Sequence, residues 1–329
     1  MKAFVGVDVC KENLDIAVIV ENKVCLSRQF SNSKKGIKSL IGAVKKNFKC
    51  EILFGCEATG IYDRLFLSLV NEAFYPVVRI NPRFTKNELC AMNLKSSNDK
   101  VDAVLIAQRL TRGIDPLWEP KGKELDELED LITRRSQLIL MLQAERNHLE
   151  RFNKGSFSFK SVMARIKDLE KEVSAITQAI KILVKENEKI RKMTTLARTV
   201  PGVGEIISAS FVATVGNIRK YENAEQVVSF VGLCPQEKIS GKSVRKSHLS
   251  RSGDSLFRKL LYMGAVSNIR RENVFHEYYR GLISRGKSAK TALVAIMRKM
   301  VRAMFAVLRD EIPFSTERYG KQKLSVNNA

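Results

Sequence analysis

The chain has 329 residues, enough for two or three domains with cores of their own at roughly 150 residues each. Lys and Arg outnumber Asp and Glu 57 to 35, and a formal charge of +22 points to a polyanionic partner, nucleic acid before a membrane surface. No apolar run is long enough to cross a membrane, no signal peptide leads, and six cysteines without a CxxC pair beside three histidines argue against zinc or a disulfide framework and for a reducing cytoplasm.

From residue 1 to about 115, short β-rich runs alternate with helical ones. "AFVGVDV", "DIAVIV" and "VCLSRQF" predict three strands, and "KKGIKSLIGAVKKNF" predicts a helix. "EILFGCE" then reads as a strand, residues 61 to 74 as a helix, "YPVVRI" as a strand, and residues from 82 onward as helical. Three strands, a helix, then strand and helix in alternation is an α/β order with a mixed sheet, and it fits an RNase H-like fold over 1–115.

Two acidic residues close apolar strands in this region: Asp8 in "VGVDVCKENLDIAVI" and Glu57 in "LFGCEATGIYD". A partly buried carboxylate at such a place is costly unless something pairs with it. In an RNase H-like sheet the first and fourth strands are neighbours, so Asp8 and Glu57 stand side by side. Two more acids follow in "SSNDKVDAVLIAQRL", where Asp99 and Asp102 share one face of a predicted helix at about 5–6 Å between Cβ atoms. Taken alone they also read as a helix start, with Asn98 or Asp99 as the cap. Packed on the same sheet, the helix brings four carboxylates together, a donor set suited to two Mg²⁺ ions, with Mn²⁺ as a substitute, and to in-line attack at phosphorus. Arg83, Lys86 and Lys95 lie near enough in sequence to favour an approaching phosphate.

Residues 116–195 predict a helical coiled-coil region for oligomerisation. Val162, Ile166, Leu169, Val173, Ile176, Ile180, Leu183, Asn187 and Ile190 alternate spacings of four and three, a heptad seam in which Asn187 would fix register or oligomer state. The preceding helix carries a weaker seam of Leu125, Leu128, Ile132, Ile139, Leu142 and Leu149, interrupted by Arg135 and Arg146. "NKGSFS" reads as the turn between them, so the pair is either a helical hairpin or a dimerising arm, with the seam as core in both.

Residues 196–315 predict a mainly α-helical, basic domain. "TVPGVGEIISASFVATVG" has the Pro-Gly-x-Gly turn and apolar helix of a helix-hairpin-helix element, whose backbone N–H groups can hold a phosphate. Gly202 and Gly204 serve equally well as a tight turn between helices. "SGKSVRKSHLSRSG" sets serines among basic residues, and Lys242, Ser243, Arg245, Lys246 and Arg251 read as nucleic-acid contacts. Residues 316–329 lack apolar periodicity and predict a loose tail.

The segments "GVDVCKENLD", "CEATGIY", "INP" at Ile80 to Pro82 and "NDKVDA", followed in order by "PGVGEIISA", "FVGLCPQEKISGKSVRKSHLSRSG", "FRKLLYMGAV" and "AIMRKM", resemble a family of bacterial insertion-sequence transposases with a DEDD signature, which includes a pilin-gene invertase. The resemblance runs from about residue 4 to 315. It implies a RuvC-like N-terminal domain with Asp8, Glu57, Asp99 and Asp102 as Mg²⁺ ligands and catalytic acids, and a serine nucleophile in the C-terminal domain just before a glycine, which falls on Ser240. It implies a recombinase guided by a structured noncoding bridge RNA that pairs with donor and target DNA, dimers assembling to a tetramer, and a bacterial, nucleoid-associated enzyme.

Sequence physics alone does not select Ser240 over Ser243, Ser247, Ser250 or Ser252, any of which reads as a phosphate-contacting hydroxyl. Followed by Gly241, Ser240 suits an exposed turn where backbone and phosphate come close, and Ser243 is second. Arg245 and Lys246 would steady the scissile phosphate. A metal-only nuclease of the junction-resolvase type would use the four acids and dispense with Ser240. An actin-like or sugar-kinase ATPase also opens with a strand ending in Asp, but follows it with a Gly and Ser or Thr phosphate loop where this chain has "DVCKENLD". A non-catalytic nucleic-acid binder explains the charge and leaves the acids without a purpose.

Overall fold

The computed structural model of the chain describes residues 1–82, 99–240, 244–249 and 253–317, without the side chains of Asp99, Lys100 and residues 235–249. These fall into two compact units, Met1–Pro120 and Lys121–Ala329. The sequence reading sets three regions, and in the structure the long helices of 116–195 share a core with the C-terminal helices.

In the first unit, β1 (Lys2–Val9), β2 (Asn13–Val20) and β3 (Lys23–Ser31) form an antiparallel meander. Glu21 and Asn22 both take positive φ between β2 and β3, as a two-residue hairpin turn requires. Helix α1 (Lys34–Asn47) starts at Ser33, whose hydroxyl accepts from the Gly36 N–H at 3.1 Å. Strand β4 (Glu51–Glu57) returns parallel to β1, helix α2 (Arg64–Glu72) follows, and β5 (Val77–Ile80) pairs parallel with β4. The order β3-β2-β1-β4-β5, with two antiparallel joins and then two parallel ones, is the RNase H-like sheet.

Alternation along the strands sends side chains to two faces. On one, Val5, Val7, Val9, Leu14, Ile16, Phe54 and Cys56 pack with Ile37, Leu40 and Val44 of α1 and Phe66 and Val70 of α2. On the other, Phe4, Leu53, Val78 and Ile80 meet Ile106 and Leu110 of α3 (Asp99–Thr111). A buried ion pair, Arg109 Nε to Asp115 Oδ2 at 2.7 Å, secures the chain after α3, and the Trp118 N–H donates to the Val77 carbonyl at 2.7 Å. The helix expected from residue 82 onward, with Arg83, Lys86 and Lys95, lies outside the described residues.

The second unit opens with α4 (Lys123–Leu149) and α5 (Phe157–Glu186), which run back along one another. Arg146 meets Glu170 at 2.8 Å and Arg135 Nε donates to Thr177 Oγ1 at 2.9 Å. Leu138, Leu142, Ile166 and Leu169 fill the distal seam. In α4 the buried position is Leu138 rather than the expected Ile139, because the half-buried Arg135 shifts the seam by turning to Thr177. Asn187 does not sit in a helix seam: it ends α5 and caps α6 (Glu188–Arg198), its Oδ1 accepting from the Ile190 N–H at 3.0 Å. A side chain spent on a cap is not available to fix register.

Leu128, Ile132, Ile180 and Ile190 then join the main core of the unit, built on α7 (Glu205–Val215) and α11 (Ala289–Asp310). Every residue of α7 from Ser208 to Val215 is buried, as expected of a helix apolar on all sides. A short 3₁₀ turn (Ile218–Lys220) and α8 (Ala224–Phe230) lead to a two-stranded antiparallel hairpin, β6 (Pro235–Ser240) and β7 (Val244–Leu249), followed by α9 (Ser255–Asn268) and α10 (Val274–Ser284). The hairpin interrupts a region expected to be mainly helical. Its alternating "EKIS" and "VRKSHL" suit a strand, and the charge of the stretch conceals that in the sequence. The expected tail is described only as far as residue 317.

Candidate functional site

The site builds up from Gly6. A Cβ there would lie 2.2 Å from the Ala103 carbonyl oxygen and 2.3 Å from the Ala107 nitrogen, so the backbone of α3 lies directly on β1. Gly55, the partner of Gly6 in the β1–β4 pairing, lies under the side chain of Leu110, whose Cδ2 would be 2.7 Å from a Cβ there. Ala103 and Ala107 thus lie over Gly6 of β1 and Leu110 over its register partner Gly55 of β4, so α3 passes from β1 toward β4 as it runs. Asp102, just before Ala103, therefore belongs to the part of α3 that lies beside Gly6 of β1.

Asp8 shares a face with Phe4 and Gly6, and Glu57 with Leu53 and Gly55, which is the face α3 covers. The β1–β4 register ends at Val7 opposite Cys56, so Asp8 and Glu57 are the next residues of the two strands. Asp102 precedes Ala103 and is half-buried. Asp8 and Glu57 thus share the sheet face that α3 covers, Asp102 lies on α3 next to its contact with Gly6, and Asp99 opens the same helix with its side chain outside the described residues.

Two clamps hold the surrounding loops. Asn32 Nδ2 donates to the Cys10 carbonyl at 2.9 Å and to the Tyr62 carbonyl at 3.1 Å, tying the turn after Asp8 to the loop after Glu57. Asp63, fully buried, takes Arg79 Nε at 2.6 Å and fixes the far end of that loop. Between them the Thr59 hydroxyl oxygen is shielded from solvent and has no hydrogen-bond partner among the described residues. Burial first, and then the charges of Asp63, Asp8 and Glu57 against that of Arg79, push the Cys56 thiol well above its ordinary range. The acids are thus felt through the sheet.

Sequence reasoning missed Asp15, Asn32 and the Asp63–Arg79 pair. Asp15 had a signal, since it stands at an inward-facing place in "ENLDIAVI" with the same alternation that exposed Asp8.

A hard divalent cation fits this donor set, which is carboxylate oxygen throughout. Among the described residues no three of His, Cys, Asp and Glu form a group that could hold an ion by themselves.

In the second unit, Ser240 ends β6 and is paired with Val244 at the start of β7. Arg245 and Lys246 lie on β7, opposite Ile239 and Lys238. The side chains of Ser240, Arg245 and Lys246 are outside the described residues, as are Lys242, Ser243 and Arg251 altogether. Gly202, at φ +78, is packed against α9: a Cβ there would fall 2.2 Å from Asn268 Nδ2 and 2.6 Å from the Gly264 carbonyl. This is the tight interhelical turn. Gly204 is exposed at the N-terminus of α7, where N–H groups are open to an anion.

Comparison with known proteins sets these two regions in a common frame. Residues 5–158 match a transposase model of the DEDD, IS110 type, and residues 194–280 match the model for "Transposase IS116/IS110/IS902 family". The pilin gene-inverting protein of Moraxella bovis is 27% identical over 319 residues, covering 95% of this chain and 98% of that protein. The transposase for insertion sequence element IS1111A of Coxiella burnetii is 22% identical over 339 residues, covering 92% and 88%. Among solved structures, T. thermophilus RuvC in complex with a Holliday junction substrate aligns with 36% of this chain and 100% of its own, at 17% identity and a TM-score of 0.28.

Proposed function

We propose that the chain is a transposase of the IS110/IS116/IS902 family, whose models match residues 5–158 and 194–280, and that it cuts and rejoins DNA with the help of a divalent metal ion held at Asp8, Glu57, Asp99 and Asp102. The observation that supports this reading is the close seating of α3 on Gly6 at Ala103, the residue after Asp102, on the sheet face that Asp8 and Glu57 share. Bound there, Mg²⁺ would offset the charge that builds on a phosphate under attack. Asp8 and Glu57 supply oxygen ligands from a rigid sheet, and α3 supplies Asp102 with the precision of a packed helix.

The finer part of the proposal is that Ser240 is the nucleophile. Its Oγ would bond to phosphorus as the P–O bond to one deoxyribose oxygen breaks, with the serine proton lost to solvent and a proton gained by the leaving oxygen. The phosphoserine diester keeps the bond energy, and attack by the hydroxyl of an exchanged strand releases the serine. Support comes from the family resemblance and from the place of Ser240 at the end of β6 in a basic stretch of the sequence. A structured guide RNA, donor and target DNA, and a tetramer complete the proposal, and a charge of +22 suits both nucleic acids.

A reading without the serine rests on the same carboxylate face and uses water as nucleophile, as in a metal-dependent nuclease. Covalent trapping separates the two. The protein is incubated with its flanking and target DNA and then denatured, and labelled DNA is sought on wild type, Ser240→Ala and Asp102→Ala. The proposal expects an adduct on wild type, none on Ser240→Ala and a reduced one on Asp102→Ala. Cleavage that proceeds with no adduct and survives Ser240→Ala leaves the water reading in its place.

A further inference from the structure

Asp15 lies directly opposite Asp8 in the β1–β2 register, and Gln29 directly opposite Asp15 in the β2–β3 register. Glu57 follows at the next step of the β1–β4 pairing. Gln29, Asp15, Asp8 and Glu57 therefore form one row across four strands, on the face that α3 covers. Asp15 is 4% exposed, and Gln29 Nε2 donates to its Oδ2 at 3.0 Å.

Facing carboxylates on adjacent strands destabilise a sheet. An apolar side chain would serve the packing at position 15 better, since Ala17 and Ile19 on the same face of β2 are almost fully buried. A sheet that carries a buried acid beside Asp8 gives up stability at that place, which is the usual mark of a functional demand.

We propose that Asp15 is a positioning residue of the metal site, held by Gln29 so that its negative charge backs Asp8 and raises the affinity of the row for a divalent cation. The inference rests on the metal reading above. Asp15 acts through Asp8 and takes no part in the strand-transfer step.

The test is Mn²⁺ binding to the full chain, read from the free-ion EPR signal, with thermal unfolding in EDTA alongside. Asp15→Asn keeps the shape and the contact to Gln29, and is expected to weaken Mn²⁺ binding about tenfold, the low end for partners of metal ligands. Its Tm in EDTA is expected to equal or exceed that of wild type, because a like-charge pair has gone. Gln29→Met, at an exposed position, is expected to weaken binding by a smaller factor with no change in Tm. Asp8→Asn is the reference and is expected to lose binding outright.

If Asp8→Asn loses Mn²⁺ while Asp15→Asn and Gln29→Met bind as wild type does, the inference fails and the metal site stands. A lowered Tm in EDTA with unchanged affinity equally overturns it, by making Asp15 a structural group. If wild type and Asp8→Asn bind alike, the metal reading itself is wrong and the inference falls with it.

Discussion

Gly6 and Ala103 are in such close contact that no side chain fits between them: a Cβ on Gly6 would lie 2.2 Å from the Ala103 carbonyl oxygen. The obstruction is helix backbone, which cannot swing aside. Gly6→Ala is therefore expected to destabilise the chain by about 1–3 kcal/mol, as overpacking does, and to lift the turn of Asp102 off the sheet. Thermal unfolding and Mn²⁺ affinity should both fall. Unchanged values for both would show that α3 is not seated on β1.

Asn32 predicts a separation of activity from stability. Its Nδ2 joins the Cys10 and Tyr62 carbonyls, so Asn32→Ala leaves two acceptors without their donor, at about 1–3 kcal/mol. The loops it ties flank Asp8 and Glu57, and DNA cleavage is expected to drop more than tenfold under conditions where the variant is still folded by circular dichroism. Cleavage at the wild-type rate would mean that the clamp has no part in positioning the acids.

Cys56 links the site to pH. Burial, then neighbouring acids, hold its thiol protonated in the folded chain, whereas the unfolded thiol ionises near pH 9.0. A raised folded value gives stability that is complete below the unfolded value and is lost as pH climbs above it. Wild type is expected to lose stability above about pH 9 more steeply than Cys56→Val, whose slope lacks this contribution. At pH 8 a thiol reagent should label the exposed Cys25 in the folded chain and spare Cys56. Equal labelling of the two would contradict the burial of Cys56 under the acid row.

Asn268 and Gly202 form a coupled pair in the second unit. Asn268 Nδ2 donates to the Pro201 carbonyl at 3.0 Å and to the Gly264 carbonyl at 3.3 Å, in a position 2% exposed. Asn268→Ala is expected to cost about 1–3 kcal/mol, and Gly202→Ala a similar amount through its clash with the same amide. The double variant is expected to cost less than the two together, because one disrupted contact cannot be broken twice. Strict additivity in denaturant unfolding would show that the two do not meet.

The sheet was legible because strand alternation and chain order carry it, and Asp8 and Glu57 stood out as acids where alternation demands an apolar residue. The spacing of Asp99 and Asp102 predicts that they share a helix, and α3 runs from Asp99 through Asp102. Asp15 was not, although it lies in the same kind of place, because its meaning is a pairing: only the β1–β2 register sets it against Asp8. Asn32 reaches two loops remote in sequence, and nothing local announces that. Asn187 misled because a polar residue at a heptad position and a cap between two helices look alike until the helix is seen to end. The hairpin at 235–249 was hidden for a different reason, since its strands are short, basic and rich in serine and so resemble a binding loop.

The central claim is that the acids at the strand ends and on α3 serve DNA cleavage through a divalent ion. Strand cleavage of the chain's own flanking DNA, resolved on a denaturing gel for wild type and for Asp102→Ala with Mg²⁺ and with EDTA, tests it most directly. The account predicts cleavage by wild type in Mg²⁺, none in EDTA, and a loss of at least a hundredfold for Asp102→Ala, on the order of the 2.7 kcal/mol that a hundredfold represents. Cleavage in EDTA, or by Asp102→Ala at the wild-type rate, would contradict it.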